Sequence, residues 1–191
     1  MAISECAYTN RVVRPRRDDQ ETLLAKLAVA IQSRSSLAPW TLAELAPVVG
    51  LSPAGLLKRF GSRAGILIAL SHSWVDSIPI GAQTSDPGAE LRAWVGTRFE
   101  VGPEGQLAHG LMNLAEDLAD PELQQLLRAG WEKEIAYLRA LLEHVELGEG
   151  VEARTVAAVL FDALNGTMLR AGSGADASPA HTLETFLEAW T

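Results

Sequence analysis

Apolar residues recur at three- and four-residue spacing along most of this chain. No stretch sustains the alternation of a half-buried strand, and β-branched residues are sparse. The pattern predicts an all-α protein of about nine helices. A first helix over residues 18–33 gathers Leu23, Leu24, Leu27, Ala28 and Ile31 on one face. A loop over 34–39 precedes a short helix over 42–49. A turn at Gly50-Leu51-Ser52 leads into a helix over Pro53–Phe60. Gly61 and Ser62 stop that helix and cap a fourth over Arg63–Ser77. Longer helices are expected over 87–100, 103–119, 121–147, 151–171 and Pro179–Trp190. Five starts carry a small or acidic residue followed by proline: Ser52-Pro53, Asp86-Pro87, Gly102-Pro103, Asp120-Pro121 and Ser178-Pro179. Proline loses no hydrogen bond at the first helical position, and Ser or Asp before it caps a free N–H. The Pro/Gly/Ser-containing break at 79–88 divides the chain into domains 1–78 and 79–191.

The stretch from Thr41 to Arg63 is the most informative. Thr41 and Glu44 have the spacing of a capping box, and Trp40 just before it is placed to pack on Leu45. Gly50 sits where the chain must turn sharply, which glycine does at positive φ without strain. Leu56 and Phe60, four apart, give the third helix one buried stripe. Its other face shows Ala54, Gly55, Lys58 and Arg59. A short helix that buries two large residues and exposes small ones plus two cations is what a helix-turn-helix reader needs. Small side chains let its backbone approach the major groove, and cations meet phosphate or guanine. The same tight helix pair also occurs in ordinary all-α cores.

Charge changes the picture. The chain carries a formal net charge of −8, which alone argues against a polyanionic partner. Residues 1–75, however, hold nine Lys/Arg against five Asp/Glu, net +4. Residues 76–191 hold seven against nineteen, net −12. A basic module followed by an acidic one fits a protein that meets nucleic acid with its first part only. The one cysteine, Cys6, excludes an internal disulfide and a multi-cysteine zinc site. No run approaches the roughly 18 apolar residues needed to cross a membrane. Residues 10–19 are polar and basic where a signal peptide would be apolar, so a soluble cytoplasmic protein is expected. His72, His109, His144 and His181 are scattered without metal-ligand spacing, and no nucleophile elbow, Walker loop or dinucleotide fingerprint occurs. Neither an enzyme nor a cofactor is expected. The acidic pairs Glu116-Asp117 and Glu132/Glu134 read as solvated helix faces.

From about residue 18 to 74 the sequence resembles the N-terminal domain of the tetracycline-repressor (TetR) family. The resemblance rests on Thr41, Leu45-Ala46, Gly50-Leu51-Ser52, the helix from Leu56 to Phe60, Ser62-Arg63 and Ile66-Leu67. It implies a dimer that docks two recognition helices in successive major grooves of a pseudo-palindromic double-stranded operator and is released by a small-molecule effector. The candidate DNA-facing residues are Arg16, Arg17, Thr41, Ser52, Pro53, Ala54, Gly55, Leu57, Lys58, Arg59 and Arg63. Two positions depart from the family's pattern. Leu57 stands where many members have a phosphate-binding Tyr, so anchoring must lean on Lys58, Arg59, Arg63 and Thr41. Ala64 stands where many have an acid, and Gly65 beside it costs its helix about 1 kcal/mol relative to alanine. Arg11, Arg14, Arg16 and Arg17 form a basic arm ahead of the first helix, read either as a phosphate-tracking arm or as a solvated tail.

For the second domain, the resemblance implies dimerisation and effector binding. Val156, Leu160, Ala163, Leu164, Thr167 and Met168 share one face of the eighth helix. Leu183, Phe186, Leu187 and Trp190 share one face of the ninth. Either the two stripes pair across a two-fold axis as a four-helix interface, which is the expectation here, or they close the protomer's own core. Candidate effector-lining residues are Trp94, Phe99, His109, Met112, Trp131, Tyr137, Phe161, Asn165 and Met168, which would suit a lipophilic or aromatic molecule. The rivals are a helical oligomerising or scaffold protein without a DNA role, and a helical small-molecule enzyme.

Overall fold

The structure is a computed structural model; it describes residues 17–34, 36–100, 102 and 106–190. Arg11, Arg14 and Arg16 of the basic arm lie outside the described residues, as does the side chain of Arg17. Nine helices occur among the described residues: α1 (Arg17–Gln32), α2 (Leu42–Val48), α3 (Pro53–Phe60), α4 (Arg63–Ser77), α5 (Pro87–Arg98), α6 (Gln106–Ala119), α7 (Pro121–Leu142), α8 (Ala153–Gly172) and α9 (Pro179–Trp190). Each cap serves the purpose its residue type implies. Ser52, Ser62, Asp86 and Asp120 all accept backbone N–H bonds at helix starts, and Pro occupies the first turn of α3, α5 and α7. The end of α7 falls furthest short of the sequence expectation. α7 stops at Leu142, because the N–H groups of His144 and Val145 turn back to the carbonyls of Leu141 and Leu142. The following loop is tied down by Gly148, whose N–H reaches the Trp190 carbonyl at 2.7 Å.

The buried side chains form two clusters. One joins α1 to α4: Leu23, Leu24, Leu27 and Ile31 of α1 meet Trp40, Leu45, Leu56 and Ile66. The other runs from Ile78 through α5, α7, α8 and α9, with Phe99, Leu138, Leu160, Leu164 and Leu183 among its most enclosed members. α4 leaves the first cluster and lies against α7, where the Trp74 ring seats directly over Gly130. A Cβ at Gly130 would come within 2.0 Å of that ring.

The stripes assigned to dimerisation need correction. Val156, Leu160, Leu164 and Thr167 of α8, and Leu183, Phe186 and Leu187 of α9, are all buried within a single protomer. The Thr167 and Thr182 hydroxyls meet at 2.9 Å between the two helices. These faces close the protomer's own core because α7 and α5 lie against them. What α8 turns outward is another stripe, Thr155, Val159, Asp162, Gly166 and Leu169.

Candidate nucleic-acid interface

The interface is built from two caps, Thr41 and Ser52, and three glycines, Gly50, Gly55 and Gly61. Thr41 accepts the Glu44 N–H on its hydroxyl at 3.3 Å, and the Glu44 carboxylate takes the Thr41 N–H at 2.7 Å. This reciprocal pair starts α2 and holds the Glu44 carboxyl below its ordinary value, chiefly through the Thr41 backbone bond; Arg34 at 3.8 Å adds a charge. Gly50 turns the chain at φ 71°, and the Leu51 N–H bonds to the Ala46 carbonyl. Ser52 then accepts the Gly55 N–H at 3.0 Å and α3 begins. Gly55 is tight here, since a Cβ would lie 3.3 Å from the Ser52 hydroxyl. Gly61, at φ 78°, ends α3 with its N–H on the Leu57 carbonyl.

Leu56 is fully buried and fixes α3 on the first core. Ser52, Pro53, Ala54, Leu57 and Lys58 are exposed on the opposite side, so the structure brings these five candidates together. Thr41 is also exposed, at the start of α2. The two arginines behave differently from the sequence expectation. Arg59 is half-buried, and its Nη2 is enclosed without a hydrogen-bond partner among the described residues. Arg63 turns inward: its Nε donates to the Trp40 carbonyl at 3.1 Å, its Nη2 meets Glu116 of α6 at 2.6 Å, and its guanidinium stacks 4.5 Å above the Trp40 ring. Its charge is thus committed to bracing α4 against α6. Lys58 is the exposed cation of α3.

The effector candidates separate into two groups. Trp94, Phe99, Tyr137 and Phe161 pack edge to face at ring separations of 5.6 to 6.2 Å. Phe99, Tyr137 and Phe161 are buried, and Trp94, Trp131 and Met168 pack against the same core. The Tyr137 hydroxyl donates to Glu90 at 2.5 Å, and Glu90 also receives the N–H groups of Gln83 and Thr84. The Tyr137 bond and those of the loop lower the Glu90 carboxyl to about 2, while burial and Glu90 together push the Tyr137 hydroxyl up. Asn165 spends its amide on the Phe161 carbonyl one turn back. His109 and Met112 do not join this group. His109 Nε2 lies 2.8 Å from the Ser36 carbonyl, and both residues face the loop before α2. There they line a recess of about 20 Å³ with Trp40, Arg63 and Glu116, enough for one water.

A larger cleft of about 450 Å³ opens between α1, α4 and α6. Sequence reasoning missed it and misread the pair beside it. Glu116 is held by Arg63, and Asp117 is half-buried in the cleft wall rather than solvated; Glu134 of the other acidic pair is likewise not solvated but buried against the Arg98 guanidinium. Burial, with Glu116 alongside, pushes the Asp117 carboxyl up to about 6. A signal was available: Asn113 and Asp117 are polar and four apart, which puts them on one face of a helix.

No helix among the described residues is long and apolar enough to cross a membrane. No family model matches the sequence, and no curated protein matches it. Solved structures do resemble it. A transcriptional regulator from Rhodococcus sp. Rha1 is similar over 89% of this chain and 94% of its own, with TM-score 0.64 and 21% identity. A TetR transcription regulator from Haloarcula marismortui covers 90% and 94%, with TM-score 0.63 and 22% identity. SmeT in complex with triclosan covers 92% of both chains, with TM-score 0.63 and 17% identity. The helices of this chain are therefore arranged in the fold of the TetR-family transcriptional regulators.

Proposed function

We propose that this protein is a ligand-responsive DNA-binding transcriptional regulator, acting as a repressor that a small molecule releases from its operator. The observation that carries the reading is the outward face of α3. A helix whose inward Leu56 is fully enclosed, with Phe60 half-buried against the same core, leaves Ser52, Pro53, Ala54, Leu57 and Lys58 open to solvent. Small and apolar groups there suit close approach to base edges and thymine methyls, and Lys58 suits a phosphate. Residues 1–78 would read DNA, and residues 79–191 would bind effector and dimerise. Two copies would place their α3 helices one helical turn of DNA apart, roughly 34–36 Å. The outward stripe of α8 is the surface offered to the second copy. SmeT, a repressor by its description, has been solved with triclosan bound. That supports a small apolar effector here, for which the cluster around Trp94, Phe99, Trp131, Tyr137, Phe161 and Met168 would have to open.

The test is selection from a random duplex library, followed by salt titration on the enriched site. Specific binding should weaken steeply with salt, and Lys58→Gln should lower the slope of log affinity against log salt by about 1. Failure to enrich any site, or an association indifferent to salt, overturns the reading.

A further inference from the structure

The cleft between α1, α4 and α6 has the size and wall chemistry of a ligand site. Its volume of about 450 Å³ falls in the range of small-molecule pockets, roughly 300–1,000 Å³. Leu24 and Ala28 of α1 and Leu70 and Trp74 of α4 give it apolar walls, while Asn113 and Asp117 of α6 supply polar groups. Its charged lining residues are both acids, Asp117 on α6 and Glu21 on α1. The two neighbouring acids of α6 differ in one respect. Glu116 is paired with Arg63, whereas Asp117 has no hydrogen bond or ion pair among the described residues. A half-buried carboxylate without a countercharge is unfavourable. A cation is the group that relieves it, and an aromatic wall favours a cation as well. A neutral lipophile would leave Asp117 desolvated and unpaired, and an anion would be repelled.

We propose that the cleft between α1, α4 and α6 binds an amphipathic organic cation, with its apolar body against Leu24, Ala28, Leu70 and Trp74 and its cationic centre beside Asp117. The site is separate from the aromatic cluster of α5, α7 and α8. Its occupant touches α1 and α4, which carry the first core, together with α6. The binding does not depend on the DNA-reading proposal, so its test uses no DNA and the two stand or fall apart.

The test uses the full chain and two probes of matched shape: 2-naphthylmethyltrimethylammonium and 2-neopentylnaphthalene, its uncharged carbon isostere. Equilibrium dialysis should show the cation binding at least tenfold more tightly than the isostere. Asp117→Asn should erase that preference by weakening the cation and strengthening the isostere, which no longer desolvates an unpaired carboxylate. Ala28→Trp, which fills the cleft, should abolish binding of both. Should that variant lose its cooperative thermal transition, Ala25→Trp at the cleft's exposed side takes its place. Equal binding of the two probes, a preference that survives Asp117→Asn, no cation binding at all, or binding undiminished in the filled variants would each overturn the proposal.

Discussion

Single residues here are decided by what lies next to them, and Gly65 is the clearest case. Helix propensity alone says that Gly65→Ala should stabilise α4 by about 1 kcal/mol. A Cβ at Gly65 would, however, sit 1.9 Å from the Phe60 carbonyl oxygen. Backbone atoms do not give way as a flexible side chain does, so the turn between α3 and α4 must shift, at about 2–3 kcal/mol. The clash outweighs the propensity, and Gly65→Ala should lower stability by roughly 1–2 kcal/mol, read from the urea midpoint. Asp117 gives the opposite sign. Its folded-state value of about 6, against an ordinary 3.8, means the folded protein holds this proton more tightly than the unfolded chain. The ionised form therefore costs stability above pH 6, and the cost vanishes below about pH 4. Asp117→Asn should stabilise the protein at pH 7 by about 1 kcal/mol, after discounting for the solvent that screens a half-exposed group. The gain should disappear in melts at pH 4.

Among elements, α4 is the one that touches both buried clusters. α4 begins against α3 and ends against α7, with Trp74 seated on Gly130 and Lys133 of α7 donating to the Val75 carbonyl at 2.6 Å. At its start, Arg63 clamps it to α6. Gly130→Ala would drive a methyl into the Trp74 ring and should cost about 1–3 kcal/mol, visible as a lowered thermal midpoint. The sequence placed α4 directly before the break at 79–88. It could not show the glycine seat, since residues 74 and 130 are distant in the chain and neither is unusual where it stands.

For the whole molecule, the charge asymmetry and the outward stripe of α8 set the expectations. Val159 and Leu169 are each 46% exposed, and the Cβ position of Gly166 meets nothing within 4 Å. Thr155, Val159, Asp162, Gly166 and Leu169 recur every three or four residues, the spacing of a helix seam with a small residue for close approach. If two copies pair here, Val159→Glu combined with Leu169→Glu should yield a monomer in sedimentation equilibrium while leaving the protomer's helicity intact, because neither side chain belongs to the core. Persistence of a dimer would place the contact elsewhere.

Local chemistry made much of this protein legible without coordinates. The caps at Thr41, Ser52, Ser62, Asp86 and Asp120, the positive-φ turn at Gly50 and the buried Leu56 all act within a few residues, so pattern and residue type suffice to locate them. Partner choice over long range was another matter. Only the assembled chain decided that the α8 and α9 stripes face inward, that Arg63 serves Glu116, that His109 meets Ser36 and that Asp117 lines a cleft. The reason is that a helix's apolar face states that it must be covered, whereas what covers it depends on where every other helix has already come to rest.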